Sequence, residues 1–374
     1  MDNRIKSVFG EYAKQLQVLV ETNLDKFKVP FFQRYFQLGS PQMGLTYSTI
    51  IGRSRIEAAA SIVAHGAEAP LRSRMGLEKL SGEIAAVKVK RKMDDQDYRE
   101  WLTMQAVSTN EDAKKQQIIQ LIWDDVKYVV DAVSTRMDWM AAQALSQGRI
   151  NINLTNNPDG IAPGNIDLLV PAANREGGSA AFEWGAGSAS NYWVATDGAT
   201  GSASTPISDI RGLTRRIYND TGVVFEKVLM TPGKWWEVEI APEITTLFDG
   251  RPSLEEFNSY MQSQGLPIIE LVDVRTRVEA DGVRTTVDPW VDDRYIVFLP
   301  GGNAGIMHNS LSIEQISPVP SVDYAISNNI LVSKWAQTEP FGEFTRGEIA
   351  AFPGLEVASQ MHLVDVESVG NWGA

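Results

Sequence analysis

Residues 110–148 read NEDAKKQQIIQLIWDDVKYVVDAVSTRMDWMAAQALSQG, and the reading of this stretch decides the rest. Ile119, Ile122, Val126, Val129, Val133, Met137, Met140 and Ala144 recur at the three-and-four spacing of one helix face, with charge filling the other. Thr109 or Asn110 can cap the start, Glu111 and Asp112 suit the positive end of the helix dipole, and Gly148 is a natural stop. One helix of roughly 35 residues is predicted, about 50 Å long at 1.5 Å per residue. That is about three times the ordinary helix length. It suits either a long core helix or a spine that sets the dimension of a building block.

Working outward, the 374 residues contain no cysteine, which excludes disulfides, thiolate metal sites and cysteine nucleophiles. A formal charge of −13 argues against a nucleic-acid reader, because the average surface repels phosphate. The N-terminus lacks the apolar run of a signal peptide, and no stretch approaches the ~20 apolar residues of a membrane span. A soluble protein of two or three lobes is expected.

Before the spine, Ile5, Val8, Phe9, Tyr12, Leu16 and Val20 form a helical pattern that breaks at Pro30. The aromatic segment that follows, with Phe31, Phe32, Tyr35 and Phe36, is punctuated by Gly39, Pro41 and Gly44 and should run extended. It needs a surface, supplied by its own domain or by a neighbouring subunit. Residues 57–64 and 82–93 look like the two strands of a long hairpin with an irregular tip. From Arg53 to Lys92 this segment carries nine basic residues, among them Arg72, Arg74, Lys79, Lys88, Lys90, Arg91 and Lys92, against four glutamates. Isolated hairpins are marginal in water, and a basic one on an acidic protein is suited to lie across an acidic neighbour. Asp124 and Asp125 on the spine form a solvated or subunit-facing acidic patch.

After the spine, strands are predicted at 149–156 and 166–170, and a loop rich in Gly, Ala and Ser at 174–206. A helix is predicted from Pro206 to Gly222, then a strand at Phe225–Pro232. Trp235 and Trp236, taken as strand neighbours, should face opposite ways with at least one in the core. A capped helix at Ser253, a hairpin about Asp281-Gly282 and a buried strand at Arg294–Pro300 complete an α+β second half without a βαβ rhythm.

No chemistry is legible. His65, His308 and His362 are isolated, Gly185, Gly187, Gly301 and Gly302 lack a phosphate-binding context, and no serine-hydrolase elbow occurs. Asp124-Asp125 and Asp292-Asp293 are adjacent pairs, which on a helix do not face one another. No catalytic, cofactor-binding or metal residues are assigned.

The order of parts is then informative: aromatic arm, basic hairpin, very long helix, glycine-rich loop, α+β lobe, strand-rich return. Together with SIVAHGAEAP at 61–70, GEI at 82–84, MDWMAAQALSQG at 137–148, NIDLLV at 165–170, Trp193, PISDI at 206–210, NDTG at 219–222, VLMT at 228–231, Trp235 and VFLP at 297–300, it resembles the major capsid proteins of tailed bacteriophages, specifically the lambda gpE-like (phage capsid E) family. The resemblance implies an α+β, Hong Kong 97-type capsid fold. Its parts would be an N-terminal arm (1–50), an extended loop (51–92), a peripheral domain (93–206) with the spine at 110–148, an axial domain (207–300) and a C-terminal return to the peripheral domain (301–374). It further implies hexamers and pentamers of an icosahedral shell in the virion, assembled in the host cytoplasm. The shell would enclose double-stranded DNA without sequence-specific contacts and without a membrane, aided by scaffold, portal and possibly decoration proteins. The cations from Arg72 to Lys92, Asp124 and Asp125, and Phe31, Phe32, Tyr35 and Phe36 would be the assembly contacts. An encapsulin-like compartment shares that fold, and a secreted surface or carbohydrate-binding protein is the more distant alternative.

Overall fold

Periodicity at 110–148 becomes a single α-helix of 37 residues, Glu111–Gln147. The computed structural model describes residues 4–50, 79–107, 111–161, 164–177, 192–194, 201–280, 282–290, 293–339 and 341–367. In chain order the elements are β1 (Arg4–Ile5), α1 (Glu11–Lys14), α2 (Leu16–Thr22), β2 (Phe36–Leu38), β3 (Thr46–Ile50), β4 (Lys79–Glu83), β5 (Ala86–Met93), α3 (Asp95–Val107) and the spine α4 (Glu111–Gln147). Next come β6 (Arg149–Ile152), β7 (Gly164–Asp167), β8 (Arg175–Gly177), α5 (Pro206–Thr221), β9 (Phe225–Met230), α6 (Pro232–Val238), α7 (Pro242–Leu247), α8 (Leu254–Ser263) and β10 (Ile268–Leu271). The chain continues through β11 (Thr276–Ala280), β12 (Val283–Val287), β13 (Tyr295–Pro300), β14 (Gly305–Ser310), α9 (Ile313–Ile316), β15 (Asp323–Ser327), β16 (Ile330–Thr338), β17 (Phe341–Leu355) and β18 (His362–Asp365).

Along α4 the predicted stripe is buried from Ile122 (1% exposed) through Ala144, whereas Ile119 is 41% exposed. From Met137 to Gln147 every residue is buried, polar ones included. Gly148 ends the helix with φ 63°, and a Cβ there would come 2.5 Å from Val170 Cγ2. Both the left-handed backbone and the close approach require glycine.

The chain forms two units. The first comprises Met1–Tyr47, Gly82–Asp138 and Met307–Pro353. Its seven-stranded sheet has the order β1-β16-β17-β14-β2, with β15 added on β16 and β5 on β17. The sheet lies against α4 so closely that a Cβ on Gly347 would meet Val129 O at 2.9 Å. At the N-terminus the predicted single helix is divided. Gly10 takes φ 58°, and α1 and α2 are separated at Gln15, while Phe9, Leu16 and Val20 keep their predicted burial.

The second unit holds Ser48–Ser81, Trp139–Ile306 and Gly354–Ala374. Its mixed sheet runs β10-β9-β13-β18-β8. A layer of helices covers it through Ile207, Ile210, Leu213, Trp235, Phe257 and Met261, which pack with Val228, Ile269 and Phe298. Full burial of each such side chain contributes about 1.5–3 kcal/mol. α5 and α8 start and stop where predicted: Gly222 closes α5 with φ 70°, and Ser253 Oγ accepts from Glu256 N. The hairpin β11–β12 turns through Gly282 at φ 78°.

Three expectations change. β9 and β10 are parallel and joined through α6, α7 and α8, so a βαβ crossover is present among the described residues. α6 and α7, of 7 and 6 residues, are too short to show a helical period. The Trp235-Trp236 pair lies on α6 rather than on a strand, because Thr231 caps the helix and Pro232 occupies its first turn. Trp235 is nonetheless core at 5% exposed and Trp236 outside at 64%. The second strand of the lobe ends at Asp167, since Leu169 adopts φ 59° and Leu168 N bonds Gly148 O.

Candidate assembly surface

The basic segment is not a free hairpin in its second half. β5 pairs antiparallel with β17, Ala86 opposite Ala350 and Met93 opposite Glu343. Residues 82–84, expected to lead into that same strand, fall in or beside β4, which pairs with β3. Residues 57–64, Arg72, Arg74, His65 and most of 174–206 lie outside the described residues. Lys79 opens β4.

Strand alternation sorts the cations of β5 onto two faces. Lys88, Lys90 and Lys92 share one face. There Lys88 Nζ is 2.8 Å from Glu348, and Lys90 Nζ stands 4.9 Å over the Phe344 ring. Arg91 points to the other face, toward α4, with Nη1 3.3 Å from Asp125 Oδ1 and its guanidinium over Tyr128. Asp124 and Asp125, adjacent in sequence, therefore have separate roles. Asp125 is buried; Asp124 is exposed and accepts a hydrogen bond from Gln120 at 2.7 Å.

Behind Arg91 lies an ionic cluster that the sequence reading missed. Lys334, fully buried, donates to Thr345 Oγ1 at 2.9 Å and sits 3.6 Å from Glu343 and 3.8 Å from Asp125. Glu343 also accepts from Ser7 Oγ and from Val8 N. Burial drives Lys334 down and Asp125 and Glu343 up, and the opposite charges resist each shift. On the sheet's other face Arg346 pairs with Glu314 and Glu348, and Arg4 reaches Glu314 at 2.9 Å. Burial would raise Glu314, but the hydrogen bonds from Arg4 and Arg346 hold it below the usual carboxylate range. A Lys, Glu or Arg inside alternating strands was the available signal, and only the register says which of them meet.

The arm finds its surface within its own unit. Phe32, Tyr35 and Phe36 are buried, and Phe31 is partly buried against Tyr35. Two spine carboxylates, seven residues apart and so two turns along one face, clamp the arm. Asp131 accepts from Lys28 N at 3.1 Å, and Asp138 accepts from Phe32 N at 3.0 Å and pairs with Lys28 Nζ at 2.9 Å. Burial raises the Asp138 carboxyl, opposed by these donors.

In the second unit Trp193 Nε1 donates to Asp209 at 2.8 Å, and Lys234 Nζ donates to Trp193 O at 2.8 Å while pairing with Glu237 and Glu367. Burial lifts Asp209 to about 8, with Glu243 adding to the effect. His362, buried beside Phe225, is lowered to about 4 by burial; in the first unit His308 stacks on Tyr47 and is lowered for the same reason. Gly301 lies tightly against Glu226. Among the described residues no group of three metal-binding side chains occurs, and no helix is long and apolar enough to cross a membrane.

No protein-family model matches the sequence, and no curated protein does. Solved structures do match. A phage-related protein from Bordetella bronchiseptica RB50 is 11% identical, with a TM-score of 0.54 over 94% of this chain and 97% of that one. A prophage protein from Escherichia coli CFT073, described as its capsid protein, is 14% identical, with a TM-score of 0.53 over 97% of this chain and 99% of that one. The chain has the Hong Kong 97-type capsid fold, mixed helix and sheet as the resemblance implied.

Proposed function

We propose that this chain is the major capsid protein of a tailed bacteriophage, a structural protein without catalysis that assembles into the hexamers and pentamers of an icosahedral shell around double-stranded DNA. The observation that carries the reading is end-to-end likeness: the fold accounts for nearly the whole of this chain and of the prophage capsid protein alike. The spine supports it, since 37 residues span about 55 Å and give a tile its fixed length.

Membership in the lambda gpE-like family rests on the motifs quoted above, and with it the division into arm, extended loop, peripheral domain, axial domain and return. Scaffold, portal and decoration proteins would be its partners in the host cytoplasm, the finished shell its place in the virion. An acidic chain suits a container that does not grip its nucleic acid. Copies would meet through patches that differ on their two sides, as closed rings require. Contacts of about 4 kcal/mol, millimolar singly, hold once each copy makes several.

Of the residues expected at contacts, Lys90, Lys92 and Asp124 are exposed and suited to the role. Arg72, Arg74 and Lys79 are assigned to the same role by charge alone. Negative-stain imaging of the expressed chain tests the reading. Closed particles are expected, and a chain that stays monomeric at high concentration overturns it.

A further inference from the structure

The second unit carries two oppositely charged patches at opposite margins of its sheet. On α5, Arg211 and Arg215 are one turn apart and exposed, and neither makes an ion pair among the described residues. Tyr218, next along the same stripe, is 56% exposed. Arg216, by contrast, is turned inward onto Glu176 of β8, which places α5 by the β8 margin. Asp220 lies about half a turn round the helix from Arg211.

At the other margin is α8. Its Asn258 accepts from Ile269 N and donates to Ile269 O, both at 2.8 Å, and so fills a gap on the outer side of β10. Here Glu255 and Glu256 are exposed and make no ion pair among the described residues. Exposed Asp249 and Arg251 flank them, leaving the patch at net −2. Carboxylates in a first turn suit the helix dipole whatever else they do. What gives them a second meaning is the matching pair of exposed arginines by β8, which lies four strand spacings from β10, about 19 Å at 4.8 Å each.

We infer that the α5 face of one copy docks on the α8 start of the next, Arg211 and Arg215 against Glu255 and Glu256. The inference rests on the shell-forming reading and names the partner surface as a second copy of this chain. Two complementary patches on opposite sides of one body make a head-to-tail contact, which closes into a ring where the rotation between copies divides a full turn and runs on as a filament where it does not. A self-complementary patch would give dimers instead. Arginine and tyrosine are also the residue types that interface centres favour.

Two reversed full-length chains test it, one carrying Arg211→Glu and Arg215→Glu, the other Glu255→Arg and Glu256→Arg. Each alone is expected to lose assembly by about tenfold or more, because like charges now face each other. The Arg211→Glu, Arg215→Glu chain should keep the wild-type thermal midpoint, since both side chains are exposed and make no ion pair among the described residues; the Glu255→Arg, Glu256→Arg chain should melt slightly lower but still in one cooperative transition, because it loses the favourable helix-dipole charges. Mixed in equal amounts, the two should co-assemble. One has acid on both sides and the other base on both sides, so they must alternate, and only even-membered rings can close. Native mass spectrometry should therefore find hexamers and no pentamers.

Wild type that assembles while both reversed chains assemble equally well overturns this contact and leaves the capsid reading intact. Folded reversed chains that fail to rescue each other also overturn it. Intact assembly with loss of co-purifying nucleic acid would do so too, by assigning the arginines to phosphate. Wild type that never assembles removes the capsid reading itself, and this contact with it.

Discussion

Asp209 and His362 show how burial, rather than sequence neighbours, sets a residue's chemistry. Asp209 is raised from 3.8 to about 8, so between those values the folded chain holds a proton that the unfolded chain has released. Its stabilising effect is complete below pH 3.8 and is lost as pH rises toward 8. His362 is lowered from 6.5 to about 4, so its effect is complete above 6.5 and is lost as pH falls through 4. The two slopes oppose each other between about pH 4 and 6.5. From 6.5 to 8 Asp209 is the one of this pair still titrating, and its contribution makes stability fall with pH. Asp209→Asn keeps an acceptor for Trp193 and should flatten that fall, as thermal midpoints at pH 6.5 and 8 would register; an unchanged slope would mean Asp209 is ionised when folded. Gly347 makes a different kind of demand. Its hydrogen faces Val129 O where a methyl would stand at 2.9 Å, so Gly347→Ala should cost about 1–3 kcal/mol in denaturant melts. Nothing in the local sequence marks that glycine apart from others, because the atom it avoids belongs to a helix more than 200 residues earlier.

At the scale of elements, most local signals match the fold, although α6, with its Thr231 cap and Pro232, reads as a strand from its sequence. The spine, α5, α8, the β11–β12 hairpin and β13 depend on period, caps and turn residues, all written within a few positions of one another. Other departures from the local pattern occur where a distant partner decides. β5 has the alternation of a hairpin strand, yet its long neighbour is β17, some 260 positions away. Its lysines accordingly serve a sheet margin, where charge discourages unwanted strand pairing. The arm is a similar case, since its aromatics needed a surface and the spine's own Asp131 and Asp138 fasten it there. Asp138→Ala should strip Phe32 N and Lys28 of their acceptor and cost about 2–4 kcal/mol. Limited proteolysis should then cut near residues 26–36 faster than in wild type, and an unchanged cleavage pattern would show that aromatic burial alone holds the arm.

For the whole molecule, charge placement separates folding from assembly. Arg91 faces Asp125, and Lys88 faces Glu348, so reversing either sets like charges together inside one chain and should lower its melting temperature. Lys90→Glu with Lys92→Glu changes exposed side chains of the same strand and should leave a folded chain with impaired shell formation. Normal particles under the electron microscope would remove these two lysines from the contact set. The sequence by itself determined the extents of α4, α5 and α8, the acidic balance and the order of parts, because these are set by residues that are neighbours along the chain. Only the tertiary structure decided that β5 joins a sheet, that Lys334 meets Asp125 and Glu343, and that the second unit bears opposite charges on opposite margins. Each of those depends on strand register and on which side chains lose water, and register here joins strands as far apart as β5 and β17 or β8 and β18.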